Sequence, residues 1–232
     1  MLSINQPYFF ANIGYFSLLQ QSDIHVFYDD VNMRKKSWIS RNKFQKEDSL
    51  FSLKIIDISQ NRKIMEHLVF DPFQSLADLS EIIKNNKLEY VDEVIRLLEE
   101  CKQVIYNEIT VSEFNILTTK VICDALNIRC HYIHSSTLDN TENLTKSERL
   151  VSITRHFNET SYLNLESGQI LYDPWQFNNQ NIKLYINNTK NLKTKLQHDE
   201  FYRSILYLIS AHGLREIKSM LASYTTRDEI VS

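Results

Sequence analysis

The sequence predicts an α/β fold, a Rossmann-like and mostly parallel sheet with a helical insertion, on three observations. Segments with strand composition alternate with segments of helical apolar spacing towards both ends of the chain, the texture of a sheet wound with helices. The first thirty or so residues read β-α-β, a unit that pairs its strands in parallel. From Asp71 the pattern becomes purely helical and stays so to about residue 127. The chain has 232 residues, 43% of them hydrophobic, with no internal repeat, which suits one domain over 1–232 carrying a helical subdomain at about 71–127.

Taken in order, Leu2 to Asn5 reads as a short buried strand, Gly14 to Gln21 as a helix, and "IHVFYDD" as a second strand. "KSWISRNKF" and "SLFSLKIID" read as two hairpin arms joined by the charged turn "QKED". Three helices follow, in "SLADLSEIIKN", "YVDEVIRLLEECKQVI" and "SEFNILTTKVICDALNI", the third opened by a capping box of Thr110 and Glu113. "RCHYIH" returns to strand, and "KSERLVSITRHF" is a helix that Thr145 and Glu148 would cap. "SYLNL", "ILYD" and "IKLYIN" have strand character, and the chain closes with a helix, a stop at Gly213 and a second short helix.

A net charge of −3 lacks the basic footprint of a nucleic-acid-binding protein, although a local basic cluster could still hold a small anion. Three cysteines without CxxC spacing, no secretory leader pattern and no apolar run of spanning length fit a reduced, cytoplasmic protein without a transmembrane segment. Neither GxGxxG nor GxxxxGK[ST] occurs, so a glycine-rich phosphate loop is excluded.

Ligands of parallel α/β sheets bind beyond the carboxyl ends of the strands, and three loops are predicted to meet there. They supply Gln6, Tyr8 and Asn12, then Asp29, Asp30 and Asn32, then His134, Ser135 and Ser136, with Arg34, Lys35, Arg41 and Asn42 just beyond the second loop. Carboxylates, an imidazole, hydroxyls and guanidinium groups converging in one place suit a polar small-molecule site. Each has a plainer reading. Aspartates end strands and cap turns, adjacent strand residues face opposite ways, and basic runs often form solvated faces. Cys101, Cys123 and Cys130 read as packing residues, and no zinc spacing is present, so no bound metal is expected. "NIGY", Asn12 to Tyr15, stands where nucleotidylyltransferases carry His-x-Gly-His, with neither histidine.

Gln6, Pro7, Phe9, Gly14, Tyr15, Phe16, then Ser22, Asp23, Asp29, Asp30, Val31, then Trp38, Arg41 and Asn42 resemble the signature of the WbqC-like family of bacterial surface-polysaccharide loci. "SSTLDNTENLTKSERLVSI", "YLNLESGQILYD" and "FYRSILYLISAHG" resemble its later segments, so the likeness spans nearly the whole chain. Ala11 replaces a proline of the pattern, and the acid of its closing segment is not kept, Tyr207 standing near that place.

The resemblance implies a role in O-antigen or related glycan synthesis, where some members are described as glycine or aminoacyl transferases acting on a sugar amine. On that basis the expected reaction is acyl transfer to an amino sugar on a nucleotide or lipid diphosphate. Asp29, Asp30 or His134 would accept the amine proton, Arg34, Lys35 and Arg41 would neutralise diphosphate, and Gln6 and Asn42 would orient hydroxyls. The co-reactant would be an activated acyl donor, or an aminoacyl-tRNA as the one nucleic-acid partner. Degenerate nucleotidyl transfer and non-catalytic binding of a glycan precursor are the alternatives.

Overall fold

The computed structural model describes residues 1–45, 50–139, 144, 146–166, 174–197 and 199–230. Six strands form one sheet: β1 (Leu2–Asn5), β2 (Ile24–Phe27), β5 (His131–His134), β6 (Ser161–Leu165), β7 (Lys183–Asn188) and β8 (Thr226–Ile230). Their spatial order is β5-β2-β1-β6-β7-β8, parallel throughout except that β8 runs antiparallel to β7. The first five strands have a doubly wound order, and the direction of winding reverses between β1 and β6. A mostly parallel α/β sheet flanked by helices is thus the observed architecture.

The sheet divides two cores. Leu2, Ile4, Val26 and Tyr162 point to the face covered by α5 (Lys146–His156) and α6 (Pro174–Asn178). The opposite face carries α1 (Ile13–Gln20), the helical block α2 (Pro72–Asn85), α3 (Val91–Val104) and α4 (Val111–Leu126), and α8 (Ile205–Tyr224), in one continuous buried cluster. α7 (Lys190–Lys195) follows β7. The block therefore shares its core with the sheet. Thr110 caps α4 as expected: its hydroxyl accepts from the Glu113 N–H at 3.1 Å, and Glu113 accepts from the Thr110 N–H at 3.2 Å. Among the described residues no helix is long and apolar enough to cross a membrane.

One local expectation changes. The hairpin is reduced to β3 (Arg41–Asn42) and β4 (Phe51–Ser52), because the second arm leaves the first and pairs with the segment after His67. The Ile56 N–H donates to Leu68 and the Phe70 N–H to Lys54, so those groups are already satisfied. At Gly213 the final helix does break, with φ 79°, and a second helical stretch runs on to Tyr224, as expected. The Tyr90 ring lies 3.0 Å from where a β-carbon would stand, and Glu93 accepts the Leu214 N–H at 2.6 Å, restarting the helix. Lys46 to Asp48 of the charged turn, Thr145 and the "ILYD" segment lie outside the described residues.

A chain of buried polar groups crosses the sheet face beneath α1. Ser22 Oγ lies 2.7 Å from Ser3 Oγ, Ser3 Oγ 2.8 Å from His25 Nδ1, His25 Nε2 3.2 Å from the Tyr15 hydroxyl, and that hydroxyl 3.2 Å from the Gln6 carbonyl. Burial lowers the His25 pKa from 6.5 to about 3, so the ring is neutral and every polar atom in the line has a partner.

Candidate functional site

Asp29 and Asp30 follow the carboxyl end of β2, and His134 ends β5, whose next residues, Ser135–Thr137, form a 3-10 turn. Parallel pairing of β2 with β5 sets Phe27 opposite His134, which brings the two loops side by side. The first backbone N–H groups of such a turn have no partner within it and attract a carboxylate.

Asp29 fills that place. Its Oδ1 accepts from the Ser136 N–H at 3.0 Å and lies 3.1 Å from Ser135 Oγ. Its Oδ2 lies 3.0 Å from Ser136 Oγ, 3.1 Å from His134 Nδ1 and 3.4 Å from Ser112 Oγ of α4. Burial pushes this carboxyl's pKa up, but the bonds from His134 and Ser136 outweigh it and hold the pKa below the usual range. The group is an ionised acceptor with both oxygens engaged and only 2% of its surface exposed.

Asp30 turns to the other face of the sheet. One oxygen accepts from Ser135 Oγ, and the other meets Arg149 of α5, whose guanidinium lies 4.6 Å from the centre of the Tyr28 ring. Burial pulls the Arg149 pKa down, and the bond from Asp30 together with Tyr28 more than offsets it. Both partners are buried, at 6% and 5% exposure, so this is an ion pair out of water. The doubled aspartate faces opposite ways, as adjacent residues of extended chain do, and yet both carboxylates share Ser135.

His134 differs from both. Its side chain is 32% exposed, Nδ1 is bound to Asp29, and Nε2 has no partner among the described residues. A carboxylate on Nδ1 fixes the tautomer with the proton there and leaves Nε2 as the lone-pair nitrogen of a partly exposed ring.

The structure thus gathers Asp29, Asp30, His134, Ser135 and Ser136. For Gln6, Asn12, Arg34, Lys35, Arg41 and Asn42 there is no hydrogen bond or ion pair to this cluster among the described residues. Asn12 caps α1 by accepting the Tyr15 N–H at 3.3 Å. Asn42 is buried, its amide donating to the carbonyls of Phe9 at 3.1 Å and Phe10 at 2.8 Å, which shapes the first loop. Gln6 and Tyr8 are half-buried in that loop, with the Tyr8 ring 5.5 Å from Tyr15. Arg34 and Lys35 are exposed. Arg41 is half-buried, with Nε shielded and no hydrogen bond or ion pair among the described residues.

Sequence reasoning missed Arg149 and Ser112. Arg149 had a signal: it lies on the stripe with Leu150 and Ile153 that α5 turns inwards, where a charge requires a partner. Ser112 had none, since a serine in the first turn of a helix is ordinary.

A model of the WbqC-like protein family matches residues 6–218. No curated protein and no solved structure matches the chain.

Proposed function

Because the chain belongs to the WbqC-like family, we propose that it transfers an acyl or aminoacyl group to the amine of a sugar carried on a nucleotide or lipid diphosphate, in bacterial surface-glycan synthesis. The observation that carries this reading is the Asp29–His134 pair, with Nδ1 bound at 3.1 Å and Nε2 without a partner among the described residues. Acyl transfer to nitrogen needs one base that can take a proton and return it.

In this reading the amine nitrogen attacks the carbonyl carbon of the activated donor. Nε2 of His134 accepts a proton from that nitrogen. The carbonyl re-forms as the bond to the leaving group breaks, and the leaving group departs with the electron pair and takes the proton from His134. An amide and the protonated leaving group result. Asp29 is a positioning residue here: it holds the tautomer and stabilises the imidazolium as it forms. Arg41, which pairs with no carboxylate among the described residues, meets the diphosphate with Arg34 and Lys35, and Gln6 orients a sugar hydroxyl.

The test is calorimetric titration with UDP- and dTDP-amino sugars, followed by mass spectrometry of the sugar after incubation with an activated acyl donor. Binding should survive His134→Gln while amide formation is lost. Failure of the folded protein to bind any of a broad panel refutes the reading.

One observation favours a second reading, a protein that holds a glycan precursor without reacting it: the oxygens of Asp29 and Asp30 are all engaged by Ser, His and Arg donors. Unchanged cellular glycan together with retained ligand affinity in Asp29→Asn and Asp30→Asn would select it.

A further inference from the structure

On the flank of the sheet, away from the Asp29–His134 pair, a groove of about 740 Å³ runs between α5 and α6. We infer that it is a second binding site, for a neutral oligosaccharide. The inference concerns binding alone and does not depend on the reaction proposed above.

Its lining is the first observation. Trp175 has 62% of its surface exposed, an unusual amount for the largest apolar side chain. Around it stand the amides of Gln176, Asn179 and Gln180. An exposed indole beside convergent amides matches a pyranose, which offers an apolar face of C–H groups and a rim of hydroxyls that both donate and accept. Gln180 is already oriented: its Oε1 accepts from Arg155 Nη1 at 2.7 Å, which leaves its NH₂ to donate outwards. Gln176 Oε1 is buried without a donor among the described residues, a deficit that an arriving hydroxyl can remove after one side-chain rotation.

Charge selects among ligands. Among the described lining residues the carboxylate of Glu148 balances the guanidinium of Arg155 in charge, which gives a phosphate no surplus arginine or lysine to bind. A purely apolar ligand would strand the amides. The volume lies within the range of roughly 300–1,000 Å³ typical of small-molecule sites.

Position is the second observation. A helix that follows a strand of a parallel sheet starts at the strands' carboxyl edge and runs back, and α5 follows β5 in this way. Arg149 of α5 turns inwards to Asp30, whereas its neighbour Glu148 lines the groove. The upper end of the groove is therefore one residue away from the carboxylate cluster, and a chain of several sugars laid along it would start at that edge.

The sequence contains two tryptophans, so Trp38→Phe leaves Trp175 as the sole indole reporter. Titration with maltotetraose and with chitotetraose should give a saturable change in its emission and protect it from iodide quenching. Calorimetry should show that Trp175→Ala weakens binding at least about tenfold, or 1.4 kcal/mol, and that His134→Gln leaves it unchanged. Trp175 is exposed, so its removal does not threaten the core. Absence of saturable binding by either oligosaccharide overturns the inference. Binding retained in Trp175→Ala, or lost in His134→Gln, overturns it as well, since each places the sugar elsewhere. Failure of the acyl-transfer reading leaves these outcomes untouched.

Discussion

Acid should destabilise this protein through one buried ring, well before its carboxylates titrate. His25 is fully buried, engaged by Ser3 and Tyr15, with its pKa lowered from 6.5 to about 3. The unfolded chain therefore binds a proton below pH 6.5 that the folded chain refuses until about pH 3. Stability is complete above 6.5 and falls as the pH drops, by about 1.4 kcal/mol per unit while only the unfolded state is protonated. Between pH 7 and pH 5 the loss attributable to His25 is about 2 kcal/mol, and over the whole interval it approaches 5 kcal/mol. Asp29 works in a lower window: its folded pKa is depressed below 3.8, so its contribution is present above that value and declines only beneath it. Urea unfolding of wild type and His25→Gln at pH 7, 6 and 5 isolates the effect. The variant starts less stable, because the polar chain is interrupted, but its decline should be shallower by about 2 kcal/mol over the two units. Parallel declines in the two proteins would refute a neutral buried His25.

Two further perturbations test the packing. Arg149→Met leaves Asp30 buried without its cation and should cost about 3–5 kcal/mol, whereas Arg149→Met with Asp30→Asn should recover much of the loss; chemical denaturation of the four-member cycle measures the coupling. Gly213→Ala forces a side chain into φ 79° and against Tyr90 at 3.0 Å, so it should destabilise by more than about 1 kcal/mol in thermal unfolding, and Tyr90→Ala alone should not rescue it because the backbone strain persists.

What could be read from the sequence follows the range over which each feature is determined. β1 at Leu2–Asn5 and β6 at Ser161–Leu165 have the predicted bounds, because a short β-rich run flanked by breaking residues identifies itself. The Thr110 cap and the break at Gly213 are equally local. β8 escaped because "TRDEI" has no apolar alternation: it is an edge strand with four exposed residues, and charge there discourages further pairing. α6 and α7 are too short to show a period. Of the candidate site, the loops after β2 and β5 were legible because parallel sheets expose those ends. The Asp30–Arg149 pair was not, since 119 residues separate its members. His25 was not either: a lone histidine in a strand says nothing until Ser3, Ser22 and Tyr15 are seen around it.

The loop between β1 and α1 has a consequence for the order of assembly during synthesis. Its carbonyls are held from far along the chain: Pro7 by Asn115, Phe9 and Phe10 by Asn42, Phe10 again by Ser204, and Ala11 by the Ile205 N–H. β1 itself lies between β2 and β6. A ribosome delivers Ser204 on the order of 10–40 s after Gln6 at ordinary elongation rates. Throughout that interval the loop lacks its final restraints, and Phe9 and Phe10 lack the complete wall that encloses them. The loop is completed long after it is made. Fragments ending before residue 204 should therefore expose this aromatic pair to any chaperone that samples nascent chains.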